Sequence, residues 1–194
     1  MNYAAAKQYV IQLLSEKLNP QLTYHGLHHT LDVLHITRSL CEKENIGAHD
    51  TLLLKTAALF HDTGFTVSNM GHEQHGCDIV REQLPTFGFK DEDIEKICGM
   101  IMATKIPQTP LTHLEEIICD ADLDYLGRDD FYSIGETLFV ELKHFNVLQK
   151  VEDWNRIQVK FLEAHHFFTR TNIDTRNPIK QQHLQRLKDL VATY

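Results

Sequence analysis

Long apolar runs are missing from this chain: its uninterrupted apolar stretches reach only a few residues, against the roughly 20 that a membrane-spanning helix needs. The start, Met1-Asn2-Tyr3-Ala4-Ala5-Ala6-Lys7, has no basic segment leading into an apolar one, so no secretory signal is legible and a cytoplasmic location is expected. Cysteine is sparse, and Cys41, Cys77, Cys98 and Cys119 never form a Cys-x-x-Cys pair. That spacing argues against a thiolate zinc cluster or a redox dithiol and predicts reduced, mostly buried thiols. Positive charge is also short. A formal charge of −8 leaves no broad cationic surface for a nucleic-acid backbone, so neither nucleic acid nor membrane is an expected partner. The stretch from Arg170 to Tyr194 is locally basic and reads as a solvated helix face. Gly/Ser linkers, repeats and low-complexity tracts are absent as well, which predicts one continuous domain over residues 1–194.

What is present is helical periodicity. Val10, Ile11, Leu14 and Leu18 near the start share a face, as do Val151, Trp154, Ile157, Phe161, Leu162 and His165 near the end. Strand alternation is nowhere convincing, and the boundaries are helical in kind. Asn19-Pro20 stops the first helix, the acids Asp91, Glu92 and Asp93 open a middle one, and Thr112-x-x-Glu115 reads as a capping box. An all-α bundle of about eight or nine helices follows. Its helices are expected at 28–44, 51–60, 71–84, 94–103, 113–123, 130–144 and 151–168, with the polar motifs in a core of about 24–127 and further helices over about 130–194.

Three polar segments stand in apolar surroundings: Tyr24-His25-Gly26-Leu27-His28-His29, Phe60-His61-Asp62-Thr63-Gly64 and Cys119-Asp120-Ala121-Asp122-Leu123-Asp124. Buried imidazoles and carboxylates need a neutralising partner, and a divalent cation supplies one. Thirteen histidines and fourteen aspartates in 194 residues predict about one His-Asp doublet by chance, and the chain has two. His49-Asp50 follows Gly47 and reads as a helix start with Asp50 as N-cap. His61-Asp62 instead terminates the apolar helix Leu52 to Phe60. His25, His29 and Asp32 share one face if a helix begins at His25, giving one metal ligand, one proton donor, and Asp32 to orient an imidazole. Asp120 and Asp124 share a face that Asp122 does not, and periodicity leaves Asp120 and Asp122 as rivals for the same role.

In this order, a helix histidine, a His-Asp doublet and a distant aspartate resemble the HD superfamily of metal-dependent phosphohydrolases. The resemblance runs from about Tyr24 to Gly127 and rests on Ala57-Ala58-Leu59-Phe60-His61-Asp62-Thr63-Gly64 and Asp120-Ala121-Asp122-Leu123. It implies His29, His61, Asp62 and Asp122 as metal ligands, which decides between the two aspartates. Tyr24-His25-x-x-x-His29-x-x-Asp32-Val33 is also similar to the first signature of cyclic-nucleotide phosphodiesterases, implying His25 as the proton donor to the leaving oxygen. Those enzymes carry a further histidine where this chain has Phe65. The acidic pair of alarmone hydrolases and the catalytic glutamate of deoxynucleotidases are missing too. His72-Glu73 resembles the next family histidine and marks His72 as a substrate-side residue. Where two-metal members place paired histidines the chain reads Met102-Ala103-Thr104-Lys105, so one metal is expected. Lys105 is the candidate to carry phosphate charge, with Arg128 a second.

Nitrogen and carboxylate ligands without thiolate suit Mn, Fe, Co, Ni or Mg. Such an ion lowers the pKa of bound water enough to supply hydroxide near neutral pH. The expected function is therefore hydrolysis of a small phosphomonoester, phosphodiester or nucleotide. A non-catalytic metal- or nucleotide-sensing module built on the same pocket is the alternative.

Overall fold

Helix starts follow local chemistry through much of the chain. In the computed structural model, which describes residues 1–194, the side-chain oxygen of Asn2 accepts from the Ala5 N–H at 3.1 Å and opens α1, Tyr3–Lys17. α2 spans Leu27–Lys43 behind Gly26, whose extended backbone forms the N-cap. His25 therefore lies outside the helix rather than at its first position. α3 spans Ala48–Phe60. It begins ahead of the expected Thr51, so Asp50 is not its cap but lies in its first turn, where a carboxylate suits the positive end of the helix dipole.

After a short 3-10 turn at Thr63–Thr66, α4 covers His72–Gln83 and α5 covers Asp91–Ala103, with three acids in its first turn. His49 Nε2 lies 2.9 Å from Asp93 Oδ1, so the second His-Asp doublet ties the start of α3 to the start of α5. α6, His113–Asp122, carries the capping box of Thr112 and Glu115 in full. A 3-10 turn at Asp124–Gly127 leads to α7, Phe131–His144, and then α8, Val151–Ala164. The chain ends with α9, Arg170–Thr175, and α10, Asn177–Val191.

Ten α-helices and no strand make the architecture all-α, as periodicity predicted, with more helices than the eight or nine expected. The extra one has a tertiary cause. α8 stops at Ala164 instead of continuing to Phe168, because buried Asp120 draws the next segment out of helical geometry. Its Oδ1 accepts from Phe168 N–H at 2.9 Å, and its Oδ2 accepts from Thr169 N–H at 2.8 Å and Thr169 Oγ1 at 2.6 Å. The basic C-terminal stretch is likewise only partly a solvated face. Arg176 Nε donates to Asp124 Oδ1 at 2.8 Å, and Lys180 is buried with its ammonium on the His165 carbonyl.

Two apolar clusters organise the interior. The larger draws on α1 to α6, including Leu53, Leu54, Phe60, Ile97 and Ile117. The smaller joins Tyr24, Leu123, Leu126, Phe131, Leu162 and Leu187 from the later helices. The polar motifs lie where these clusters meet, because His61, Asp62 and Asp122 stand at or just beyond helix ends belonging to the first while Tyr24 belongs to the second. All four cysteines are buried free thiols.

Candidate metal centre

His29 comes from the first turns of α2, His61 and Asp62 from the end of α3, and Asp122 from the last position of α6. His29, His61 and Asp122 each offer a donor atom, all within 4.8 Å of one another. His29 Nε2 is 3.0 Å from Asp122 Oδ1, and His61 Nε2 is 3.4 Å from the same oxygen. Asp62 Oδ2 flanks the set, 3.2 Å from His61 Nε2 and 3.6 Å from His29 Nε2. His29, His61 and Asp62 are buried.

The donor chemistry fits a cation. His61 Nδ1 donates to the Ala58 carbonyl at 3.0 Å, which turns Nε2 toward His29 Nε2, 3.4 Å away. Two ring nitrogens and two carboxylates thus converge, and without a cation only protonation of the rings balances the carboxylate charge. Asp62 Oδ2 is buried without a hydrogen-bond partner. A buried carboxylate oxygen in that state is costly unless a positive charge meets it. The charges respond accordingly. Burial pushes Asp62 and Asp122 upward, but His61 and His29 outweigh it, holding Asp122 at about 2 and Asp62 far below the usual carboxylate range. Burial lowers His61, yet the two carboxylates carry its pKa well above the ordinary value.

His25 stands beside this cluster, its ring centroid 6.2 Å from that of His29. Its Nδ1 is 2.5 Å from Oε1 of buried Glu141 in α7, whose other oxygen accepts from the backbone N–H groups of Tyr24 at 2.8 Å and His25 at 3.1 Å. Burial favours the neutral acid, but the His25 contact and these N–H groups hold Glu141 below its ordinary value. For His25, burial lowers the pKa and is overcome by Glu141 and by the charges of Asp62 and Asp122, for a net rise. With Nδ1 donating to a carboxylate, Nε2 is the nitrogen left for chemistry.

A family model described as HD domain matches residues 26–124, about half the chain. The chain belongs to the HD domain family. No curated protein matches it in sequence. The crystal structure of a predicted HD superfamily hydrolase from an uncultured Thermotogales bacterium is similar at a TM-score of 0.64, with 18% identity, covering 98% of this chain and 91% of that one. The HD fold thus extends over nearly the whole chain, including the helices after Asp124 that the family model does not reach.

Within this HD domain the remaining sequence-nominated residues divide. His72 lies at the cluster, with Nε2 3.6 Å from Asp62 Oδ1, and burial lowers its pKa. Phe65 is stacked between His72 and His25, with ring centroids 4.0 and 4.4 Å away. A ring therefore occupies the space between two histidines that would otherwise face each other. Gly64 makes this packing possible: a Cβ there would fall 1.8 Å from the His72 carbonyl oxygen.

Lys105, expected to meet phosphate, is instead exposed on the turn after α5, and its neighbours Thr104 and Ile106 line the cavity where it does not. Arg128 is also turned elsewhere, its guanidinium held by Asp32 at 2.9 Å and Asp130 at 2.9 Å. That contact also removes Asp32 from the role of orienting an imidazole. Asp120 faces the segment before α9, so the cluster receives Asp122 alone from α6. Sequence reasoning missed Glu141. A lone acid in Leu138-Phe139-Val140-Glu141-Leu142 was the available signal, since an apolar stretch buries a carboxylate only against a partner.

Proposed function

We propose that this HD protein is a metal-dependent hydrolase of small phosphate esters, in which His29, His61, Asp62 and Asp122 hold one divalent ion and His25 protonates the leaving oxygen. The observation that carries the reading is the convergence of buried nitrogens and carboxylates around Asp62 Oδ2, which has no hydrogen-bond partner. When bound, a divalent ion supplies Lewis-acid polarisation of phosphoryl oxygens and acidifies water.

The chain's own residues do the rest. His61 is oriented by Ala58 O so that Nε2 faces the ion site. His25 is held by Glu141 through Nδ1 and lines the cavity, which leaves Nε2 to serve the substrate. As a water oxygen bonds to phosphorus and releases a proton to solvent, the ester P–O bond breaks, negative charge grows on the leaving oxygen, and the His25 imidazolium transfers its proton there and regains one from solvent after product leaves. Acid catalysis of this kind contributes roughly 10²–10⁴-fold. Glu141 keeps His25 charged before the transfer and stabilises the ring's orientation after it. His72, beside Asp62, lines the same cavity and contacts the substrate's phosphate end.

Elemental analysis of the purified protein, followed by a phosphate-release screen over monoesters, diesters and nucleotides with added Mn, Co, Ni or Mg, tests the reading. Bound divalent metal with metal-dependent phosphate release is expected. Release that survives both chelation and His61→Ala would overturn it.

A further inference from the structure

The cavity beside the ion site is mostly not polar. It has a volume of about 270 Å³, and 12 of its 19 lining residues are hydrophobic. Asp62, Asp122, His25 and His72 stand at one end. An apolar wall is built by Leu138 and Leu142 of α7 and by Trp154, Ile157, Phe161 and Leu162 of α8. Within that wall Gln158 is the one amide, and its Nε2 lies close over Gly135, 3.0 Å from where a Cβ there would be.

Two physical consequences follow. A concave, mostly apolar cleft with a few convergent polar groups is the usual form of a small-molecule site, so its place next to a reactive centre indicates an occupant. Its volume is close to the lower end of the roughly 300–1,000 Å³ range of ligand pockets, so that occupant is compact. Charge narrows the choice further. The ionisable lining groups are three acids, Asp62, Glu73 and Asp122, two histidines, and two tyrosines whose pKa burial raises, with no Lys or Arg among them. Polyphosphates are ordinarily held by guanidinium and ammonium groups, and one divalent ion beside three carboxylates does not offset three or four phosphate charges.

We infer that the substrate is an ester of a single phosphate group with a compact, ring-sized apolar alcohol, whose apolar part occupies the wall of α7 and α8 while nucleoside di- and triphosphates are excluded. This rests on the hydrolase reading for the phosphate end only. The apolar end stands on the cavity itself. Gln158 would meet a single hydroxyl or carbonyl on that group.

Trp154 is the chain's only tryptophan and lines the cavity, so its fluorescence reads occupancy without turnover. Metal-loaded protein is titrated with benzyl alcohol, methylphosphonate, phenylphosphonate and ATP. Benzyl alcohol should perturb Trp154 by itself, and phenylphosphonate should bind about tenfold or more tighter than methylphosphonate, the scale of burying one ring. Ile157, 45% exposed, tolerates a longer polar side chain at the cavity edge. Ile157→Lys should abolish the phenyl preference and gain ATP binding, with half-buried Leu142→Lys as a second variant should the first fold poorly. Equal binding of the two phosphonates, or tighter binding of ATP by the unaltered protein, would overturn the inference. Phenylphosphonate binding without phosphate release from phenyl phosphate would remove the hydrolase reading and leave the cavity assignment standing.

Discussion

Replacing Glu141 by glutamine changes one oxygen for an amide group and removes a buried charge with little change in volume. The carboxylate now serves three donors, His25 Nδ1 at 2.5 Å and the Tyr24 and His25 backbone N–H groups at 2.8 and 3.1 Å. Glutamine has one acceptor oxygen. Its oxygen can keep the two backbone N–H groups while its NH₂ donates to Nδ1 of a neutral His25 in the Nε2–H tautomer, so the bonds survive but the charge-assisted one is lost. Replacing a hydrogen bond between charged groups, worth about 1.5–3 kcal/mol, by a neutral one, worth about 0.5–1.5 kcal/mol, should cost about 1–2 kcal/mol. At about 2–4 °C per kcal/mol for a chain of this size, Tm should fall by roughly 2–8 °C.

The same change acts on His25. Burial is the largest influence on its pKa and acts downward; Glu141, Asp62 and Asp122 act upward. An ion on the two aspartates neutralises them and leaves Glu141 as the group that keeps the proton on. Without it, burial wins. A proton donor loses activity as pH rises through its pKa, so the alkaline limb of turnover should move to lower pH in Glu141→Gln. Turnover at pH 7 should fall about 10²-fold on alkyl esters and much less on p-nitrophenyl esters, whose leaving group needs no proton. Metal content should not change. Thermal melts, pH–rate profiles and elemental analysis read the three effects separately. An unchanged alkaline limb together with a Tm within a degree of the unaltered protein would refute the reasoning.

His61→Ala should lose divalent metal by elemental analysis, whereas His49→Ala, on the Asp93 contact away from the cluster, should keep it; equal retention would count against the ligand set. Asp122→Asn should weaken metal binding sharply in calorimetric titration, and Asp120→Asn should leave it intact. Burial pushes Asp120 up to about 6, above the unfolded value near 3.8, so the folded state holds its proton more tightly and the stability this contributes declines as pH rises through 6. Urea unfolding at pH 4 and pH 7 should show the unaltered protein losing ground over that interval relative to Asp120→Asn, and a constant difference would contradict the assignment. Gly64→Ala places a methyl group 1.8 Å from the His72 carbonyl and should cost about 3 kcal/mol or more in urea unfolding, since the start of α4 must move.

The helical class, the capping box at Thr112, and the three polar segments were legible in the sequence because each is a local signal. Apolar spacing sets which face a helix buries, and cap residues act within four positions of a helix start. The order of His29, His61-Asp62 and Asp122 pointed to a shared site, since the chemistry of burying such groups holds in any fold. Local signals fail where a distant group acts on the backbone. Asp120 draws Phe168 and Thr169 out of α8 across 48 and 49 positions of sequence, and no window around residue 165 contains that aspartate. Glu141 is 116 positions from His25, and Asp32 is 96 from Arg128, so the partner of His25 and the diversion of Arg128 were settled only when α7 met the segment ahead of α2 and the turn before α7 met α2. The apolar cavity is of the same kind. Trp154, Ile157 and Phe161 read in sequence as one apolar helix face, and only tertiary packing decided that this face would border open space rather than close on a neighbour.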